Sequence, residues 1–193
     1  MAAVLRWAVI AASLAVLVGS WRAALVHRVS PSEERLFRVV NTATDAIQIP
    51  VFLVMQAGSF GAVWVIGALL WFSDERTGAV VSVIAGTLVW VGVKLVKPLV
   101  GRGRPQDLLD RVRVRDTTAS GLGYPSGHAA VSLTLAVVAT GGTPPGVQLG
   151  ALLVAAVTGA ARVYVGAHLP LDIAGGFAIG GALGSAVALG LAG

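Results

Sequence analysis

AVVSVIAGTLVWVGVKLVKPLV, residues 79–100, carries no charge until Lys94 and Lys97, and it runs straight into GRGRP at 101–105. A helix of roughly 20 apolar residues crosses a bilayer core, so this stretch reads as a membrane span with its cations gathered at one end. The same pattern recurs along the chain. Apolar stretches at 5–26, 49–72, 79–100, 126–142, 147–166 and 172–192 are each close to spanning length. The chain of 193 residues is 56% hydrophobic and 12% charged, with a mean hydropathy of +0.84. Soluble domains carry about 25% charged residues. The expected architecture is therefore all-α: a polytopic membrane protein of six transmembrane helices in one bundle, forming a single domain over residues 1–193.

The breaks between spans have chemical causes. Ser73-Asp74-Glu75-Arg76-Thr77-Gly78 is a polar turn, and Gly141-Gly142-Thr143-Pro144-Pro145-Gly146 stops one helix and starts the next. In the long connection 27–48, Ser30-Pro31-Ser32-Glu33 reads as an N-cap, a Pro at N1 and a capping-box Glu. Leu36, Phe37 and Val40 come next on one side, which predicts a short interfacial helix over 31–44 with that side facing lipid, bordering an entrance from the bilayer. The other long connection, 101–125, is rich in Gly, Arg and Asp, and loops of that length are often functional. Spans four to six are rich in small residues such as Gly175-Gly176, Gly180-Gly181 and Gly184, which permits close helix approach. Arg6 and the apolar run after it also fit a secretory signal, but Trp21-Arg22 makes a poor cleavage site and the stretch is read as a retained span.

With six alternating spans, the loops 27–48, 101–125 and 167–171 share one face. Twelve of the fourteen Lys and Arg fall on that side, leaving Arg6 and Arg76 on the other. Cations near hydrocarbon are costly and mark function. For Lys94, Arg102, Arg111, Arg113 and Arg115 the simpler reading is a side chain reaching out to lipid headgroups. Lys97 and Arg104 are read differently, because two further polar clusters share their face of the membrane. Pro125-Ser126-Gly127-His128 opens span four, where free N–H groups and a hydroxyl suit a phosphate oxygen. Arg162, His168 and Asp172 supply a guanidinium, an imidazole and a carboxylate able to fix its tautomer. Two histidines and an aspartate could also bind zinc, but the surrounding cations oppose a divalent ion, so no metal and no cofactor is expected. Basic residues dispersed among apolar spans are unlike a nucleic-acid stripe, and membrane lipids are the expected partner. With no cysteine, disulfides and thiolate metal sites are excluded.

Lys97-x6-Arg104-Pro105, Pro125-Ser126-Gly127-His128 and Arg162-x5-His168-x3-Asp172 together resemble the signature of the type 2 phosphatidic acid phosphatase superfamily. Their order and spacing match, and the resemblance covers nearly the whole chain. It implies a metal-independent phosphatase with His168 as nucleophile, forming a phosphohistidine, and Asp172 orienting it. His128 would be the general acid, and Lys97, Arg104, Ser126, the Gly127 N–H and Arg162 would hold the phosphoryl oxygens. The implied substrate is a lipid phosphate: a polyprenyl (di)phosphate, phosphatidate or phosphatidylglycerol phosphate. The alternative is a catalytically silent lipid-phosphate binding or transport protein. Ala161 stands where the family usually has Ser. The positive-inside rule would turn the clusters to the cytoplasm. The resemblance implies the extracytoplasmic face of a bacterial plasma membrane, and that orientation is the expectation kept.

Overall fold

The protein is described by a computed structural model over residues 2–191. Those residues form helices and connecting turns, with no strand among them. Helix α1 (Ala2–Ala24) leads to α2 (Pro31–Asn41). A tight turn then enters α3 (Gln48–Met55) and α4 (Phe60–Phe72). After them come α5 (Arg76–Val100), the four-residue α6 (Pro105–Leu108), α7 (Gly127–Ala139), α8 (Pro145–Tyr164) and α9 (Pro170–Gly190). Four of these, α1, α5, α8 and α9, are long and apolar enough to cross a membrane.

The stretch 49–72, expected as one span, is broken. Its two halves meet at 70° around Ser59, whose side chain accepts the Ala62 N–H and starts α4 afresh. The break has a packing reason. Gly58 lies against the His128 carbonyl and Thr158, so close that a Cβ there would collide. Taken together, the bent pair can serve as a fifth span. Helix α7, expected over 126–142, ends at Ala139 and covers 13 residues, about 20 Å at 1.5 Å per residue. At its end the Thr140 hydroxyl donates to the Ala136 carbonyl (2.6 Å). Gly142, at φ +82°, then turns the chain away.

Helix α7 is the centre of the bundle. Val131 and Leu135 join Val63 of α4 and Val89 and Val93 of α5 in one buried cluster. On the α9 side, Gly176 meets the Ser126 carbonyl and Ala129, Gly180 meets the Ala130 carbonyl, and Gly184 meets Val137. The Thr134 hydroxyl donates to the Gly180 carbonyl (3.3 Å). Small residues on α9 thus bring the start of α7 against the start of α9, where the second and third motifs lie. Helix α1 packs along α9, and Ser20 hydrogen-bonds the Tyr124 hydroxyl at 2.8 Å.

Helix α2 forms as expected, with Ser30 accepting the Glu33 N–H. Its apolar side is not turned to lipid, however. Phe37 is wholly buried among Ala129, Val163, Leu169 and Ile173, with Val40 packed against the same cluster. Only Leu36 remains exposed. The expectation that Leu36, Phe37 and Val40 border an open lipid entrance is corrected: α2 is anchored into the bundle by its aromatic ring.

Candidate active site

The first motif sits at the end of α5 and the loop after it. A positive φ of +68° at Gly101 ends α5 and turns the chain back. Lys97 Nζ donates to the carbonyls of Leu122 (2.8 Å) and Gly123 (3.1 Å). Arg104 is nearly buried and spreads its fork over three carbonyls: Nε to Gly121 (3.0 Å), Nη1 to Ala167 (2.7 Å) and Nη2 to Ser120 (2.7 Å). The loop segment 120–123 is therefore stitched to both cations and, through Arg104, to the residue before His168. A further tie joins the Gly123 N–H to the Arg102 carbonyl (2.8 Å).

The second motif begins α7. Ser126 is the N-cap, fully buried, with its hydroxyl facing the Ala129 N–H at 3.5 Å and its own N–H donating to the Asp172 carbonyl (2.9 Å). Gly127 and His128 occupy the first turn, half-buried. Free N–H groups there create an anion-attracting helix start. Residues Ser132, Leu135, Ala136, Ala139 and Thr140 continue the His128 face of α7 at helical spacing. They line one side of an open apolar groove of about 550 Å³, whose other side carries Gln56, Ser59, Val65, Ile66 and Val154 and which begins one turn beyond His128.

The third motif comes from the end of α8 and the start of α9. Arg162 is buried, its Nη1 paired with Asp116 Oδ2 (2.8 Å) and near the Met55 sulfur (3.1 Å). Gly166 at φ +75° reverses the chain so that His168 enters the interior, where the residue is 3% exposed. Burial holds the His168 imidazole well below the ordinary histidine value, and the Arg162, Lys97 and Arg104 cations, with His128, push it further down. The structure brings residues of all three motifs together, with the Ser126 N–H on the Asp172 carbonyl and Arg104 on the carbonyl just before His168. Asp172 Oδ2 lies 3.5 Å from His168 Nδ1, and Oδ2 already accepts the Leu169 N–H at 2.9 Å. The pair is juxtaposed but not hydrogen-bonded: Nδ1 is buried without a partner.

The family model of the PAP2 superfamily matches residues 77–191, more than half of the chain and all three motifs. The chain belongs to the PAP2 superfamily. Among curated proteins it is 27% identical over 147 residues to an undecaprenyl-diphosphatase of Sulfolobus acidocaldarius, covering 75% of this chain and 71% of that one. The crystal structure of Aquifex aeolicus LpxE superposes with a TM-score of 0.71 at 25% identity, covering 81% of this chain and 93% of that one. A transmembrane PAP2 type phosphatidylglycerolphosphate phosphatase from Bacillus subtilis gives a TM-score of 0.69 at 18% identity, covering 93% and 95%. Like its PAP2 relatives, the chain is an integral membrane phosphatase.

Three residues around this PAP2 site escape sequence reasoning. Arg102, expected to reach the headgroups, is completely buried, paired with Glu33 (2.7 Å) and Asp172 (2.9 Å). Glu33, expected to cap its own helix, spends its carboxylate on Arg102 and on the Leu171 N–H (3.0 Å). Asp116, with no local signal in the loop, is the counter-charge of Arg162. Arg115 is likewise drawn inward, stacked on Tyr164 and donating to the Asn41, Ala43 and Tyr164 carbonyls. Lys94, by contrast, stays exposed over the Trp90 ring. Ala161 packs with Met55, Tyr164 and Val165 in an apolar cluster.

Proposed function

We propose that this chain is a metal-independent lipid-phosphate phosphohydrolase that works through a phosphohistidine on His168. What carries the reading is the convergence of the buried His168 imidazole with the Lys97, Arg104 and Arg162 cations. Phosphoryl transfer requires mainly positioning and charge stabilisation, and three cations around a buried base meet both needs. Asp172 lies on the Nδ1 side of the ring, which leaves Nε2 to attack. The Nε2 lone pair forms the N–P bond while the P–O bond to the leaving group breaks, its electron pair staying on oxygen. His128, in its protonated form, gives that oxygen a proton. Water then attacks phosphorus, the N–P pair returns to His168, and the water proton restores His128. Lys97, Arg104, Arg162, the Ser126 hydroxyl and the Gly127 N–H hold the phosphoryl oxygens throughout.

The substrate is a phosphate or diphosphate ester on a lipid, of the polyprenyl phosphate, phosphatidate or phosphatidylglycerol phosphate kind. The groove beyond His128 on α7, lined by Ser132, Leu135, Ala136 and Ala139, is apolar, as a lipid tail requires. In this reading α7 is the remaining span of a six-span, single-domain bundle, packed against α4, α5, α8 and α9. The site faces the extracytoplasmic side of a bacterial plasma membrane. The positive-inside rule loses force here, because Lys97, Arg102, Arg104, Arg115 and Arg162 are engaged within the protein. Rapid mixing of purified protein with a phosphate-labelled lipid substrate, in the presence of a chelator, tests the proposal. Acid-labile label on the wild type and none on His168→Ala is expected; label retained on His168→Ala removes it as nucleophile.

A further inference from the structure

The environment of Asp172 contains more than the three motifs supply. Arg102 Nη1 donates to Asp172 Oδ1 (2.9 Å) and to Glu33 Oε1 (3.1 Å), while Nη2 donates to Glu33 Oε2 (2.7 Å). The guanidinium is fully buried, as is Asp172, and Glu33 is almost so. The two carboxylates then divide the first turn of α9 between them. Asp172 Oδ2 accepts the Leu169 N–H and Glu33 Oε1 accepts the Leu171 N–H. Both residues flank the Pro170 that starts α9 just after His168.

A carboxylate has two oxygens and can be turned either way. With Oδ1 held by Arg102, only Oδ2 is left to face His168 Nδ1, 3.5 Å away. The Arg102 backbone is fixed too, since its carbonyl accepts the Gly123 N–H of the loop that holds Lys97 and Arg104. One arginine thus connects α2, the phosphate loop and the carboxylate behind the histidine. Its planar fork is suited to two carboxylates at once, a task an ammonium cannot copy.

We infer that Arg102 and Glu33 are positioning residues for the nucleophile: together they fix the orientation and the charge of Asp172, and through it the imidazole of His168. This rests on the phosphohistidine reading above. Glu33 has a distinct part in it. Arg102 shared between two carboxylates neutralises Asp172 only in part, so Asp172 keeps negative charge for the imidazolium character that develops as Nε2 bonds to phosphorus. With Glu33 neutral, the guanidinium would bear on Asp172 alone. Lys97, Arg104, Arg162 and His128, which face the same ring from α5, the loop, α8 and α7, already oppose positive charge there. The loss of support from Asp172 would therefore be felt in the chemical step.

The test uses the full chain in detergent or nanodiscs, with Glu33→Gln, Arg102→Lys and Arg102→Gln beside the wild type. The burst of label on His168 counts competent sites, so kcat is expressed per site, and KM and the vanadate Kd are measured in parallel. Positioning predicts that Glu33→Gln lowers kcat per site at least tenfold with KM and the vanadate Kd within twofold. It also predicts that Arg102→Lys retains more activity per site than Arg102→Gln. If Arg102→Gln does not fold, Glu33→Gln, which keeps the side-chain volume, still decides. A per-site kcat within twofold of wild type, with the loss confined to the number of competent sites, would show a purely structural tie and overturn the inference. So would kcat falling only in step with a rise in KM. Absence of a burst from the wild type would refute the phosphohistidine reading itself, and the inference with it.

Discussion

Asp116→Asn removes one charge from the site and almost nothing else. Asp116 is nearly buried, with Oδ2 paired to Arg162 at 2.8 Å and Oδ1 accepting from the Thr118 hydroxyl (2.6 Å) and N–H (3.1 Å). Burial opposes its ionisation, but the Thr118 hydrogen bond and the Arg162 guanidinium outweigh burial and hold the carboxyl below its ordinary range. It is therefore charged at neutral pH, and Asn would keep the shape while leaving Arg162 buried without a counter-charge. Two unit charges about 4 Å apart at an effective dielectric of ~20 attract by about 4 kcal/mol. Asn is cheaper to bury than a carboxylate, which returns part of this, so a net loss of about 2 kcal/mol is expected. A phosphate-like anion bound at Arg162 would replace the missing charge. The same ~2 kcal/mol should then reappear as anion affinity, a factor of about 30. The assay is thermal unfolding with and without vanadate, together with a direct vanadate Kd. Asp116→Asn should melt lower than wild type in buffer alone, bind vanadate more tightly, and recover most of the deficit at saturation. A variant as stable as wild type with unchanged vanadate affinity would refute the assignment of Arg162 to the anion site.

Three further outcomes are expected. His128→Ala should lose most activity on lipid substrates, whose leaving oxygen needs a proton, and keep part of it on activated aryl phosphates; equal losses on both would contradict its role as acid. His168 is held well below its ordinary 6.5, so the unfolded chain takes up a proton on acidification while the folded protein does not. Its contribution to stability is complete above about pH 6.5 and falls as the pH drops, with a limiting slope near 1.4 kcal/mol per unit; wild type should therefore lose stability between pH 6.5 and 5 faster than His168→Asn, and parallel curves would refute it. Ala136→Phe puts a ring into the α7 groove and should raise KM for a long-chain lipid phosphate about tenfold while sparing a short soluble ester, and loss on both substrates would mean that the groove serves only packing.

The spacing of the three motifs is a sequence property, and so is the succession of apolar stretches and polar loops from which they are expected on one face. Both are legible because membrane crossing limits where a chain can go. Residues whose role depends on a partner far along the chain are not. Arg102 and Arg104 are two positions apart in the same Gly-rich run, and nothing local says that one meets Glu33, 69 residues away, while the other meets backbone. Glu33 satisfies a capping pattern completely, and the pattern is half right, since Ser30 does cap α2. For Phe37 the sequence offers only an amphipathic face, which cannot tell lipid from a neighbouring helix because both are apolar. The break at Ser59 does have a local signal, in Gln56 and Gly58-Ser59 inside an apolar run. It becomes compelling only with Gly58 placed against the His128 carbonyl.

The cations of this chain divide by what holds them. Arg102 is shared by two carboxylates, and Arg115 pairs with Asp45 besides its carbonyls. Their charge is cancelled in place, and what they do is tie segments together. Lys97 and Arg104 are held by carbonyls alone. A carbonyl dipole orients a cation and offsets part of its desolvation without neutralising it, so both retain net charge beside a buried imidazole. Retained charge of that kind is costly near a membrane, and an arriving phosphate removes the cost. Arg162 stands between the two groups, with a single carboxylate on its fork. Of these five cations, Lys97, Arg104 and Arg162 therefore bear on His168 while Arg102 and Arg115 tie segments together, and the difference lies in the partners, since all of them look alike in the sequence.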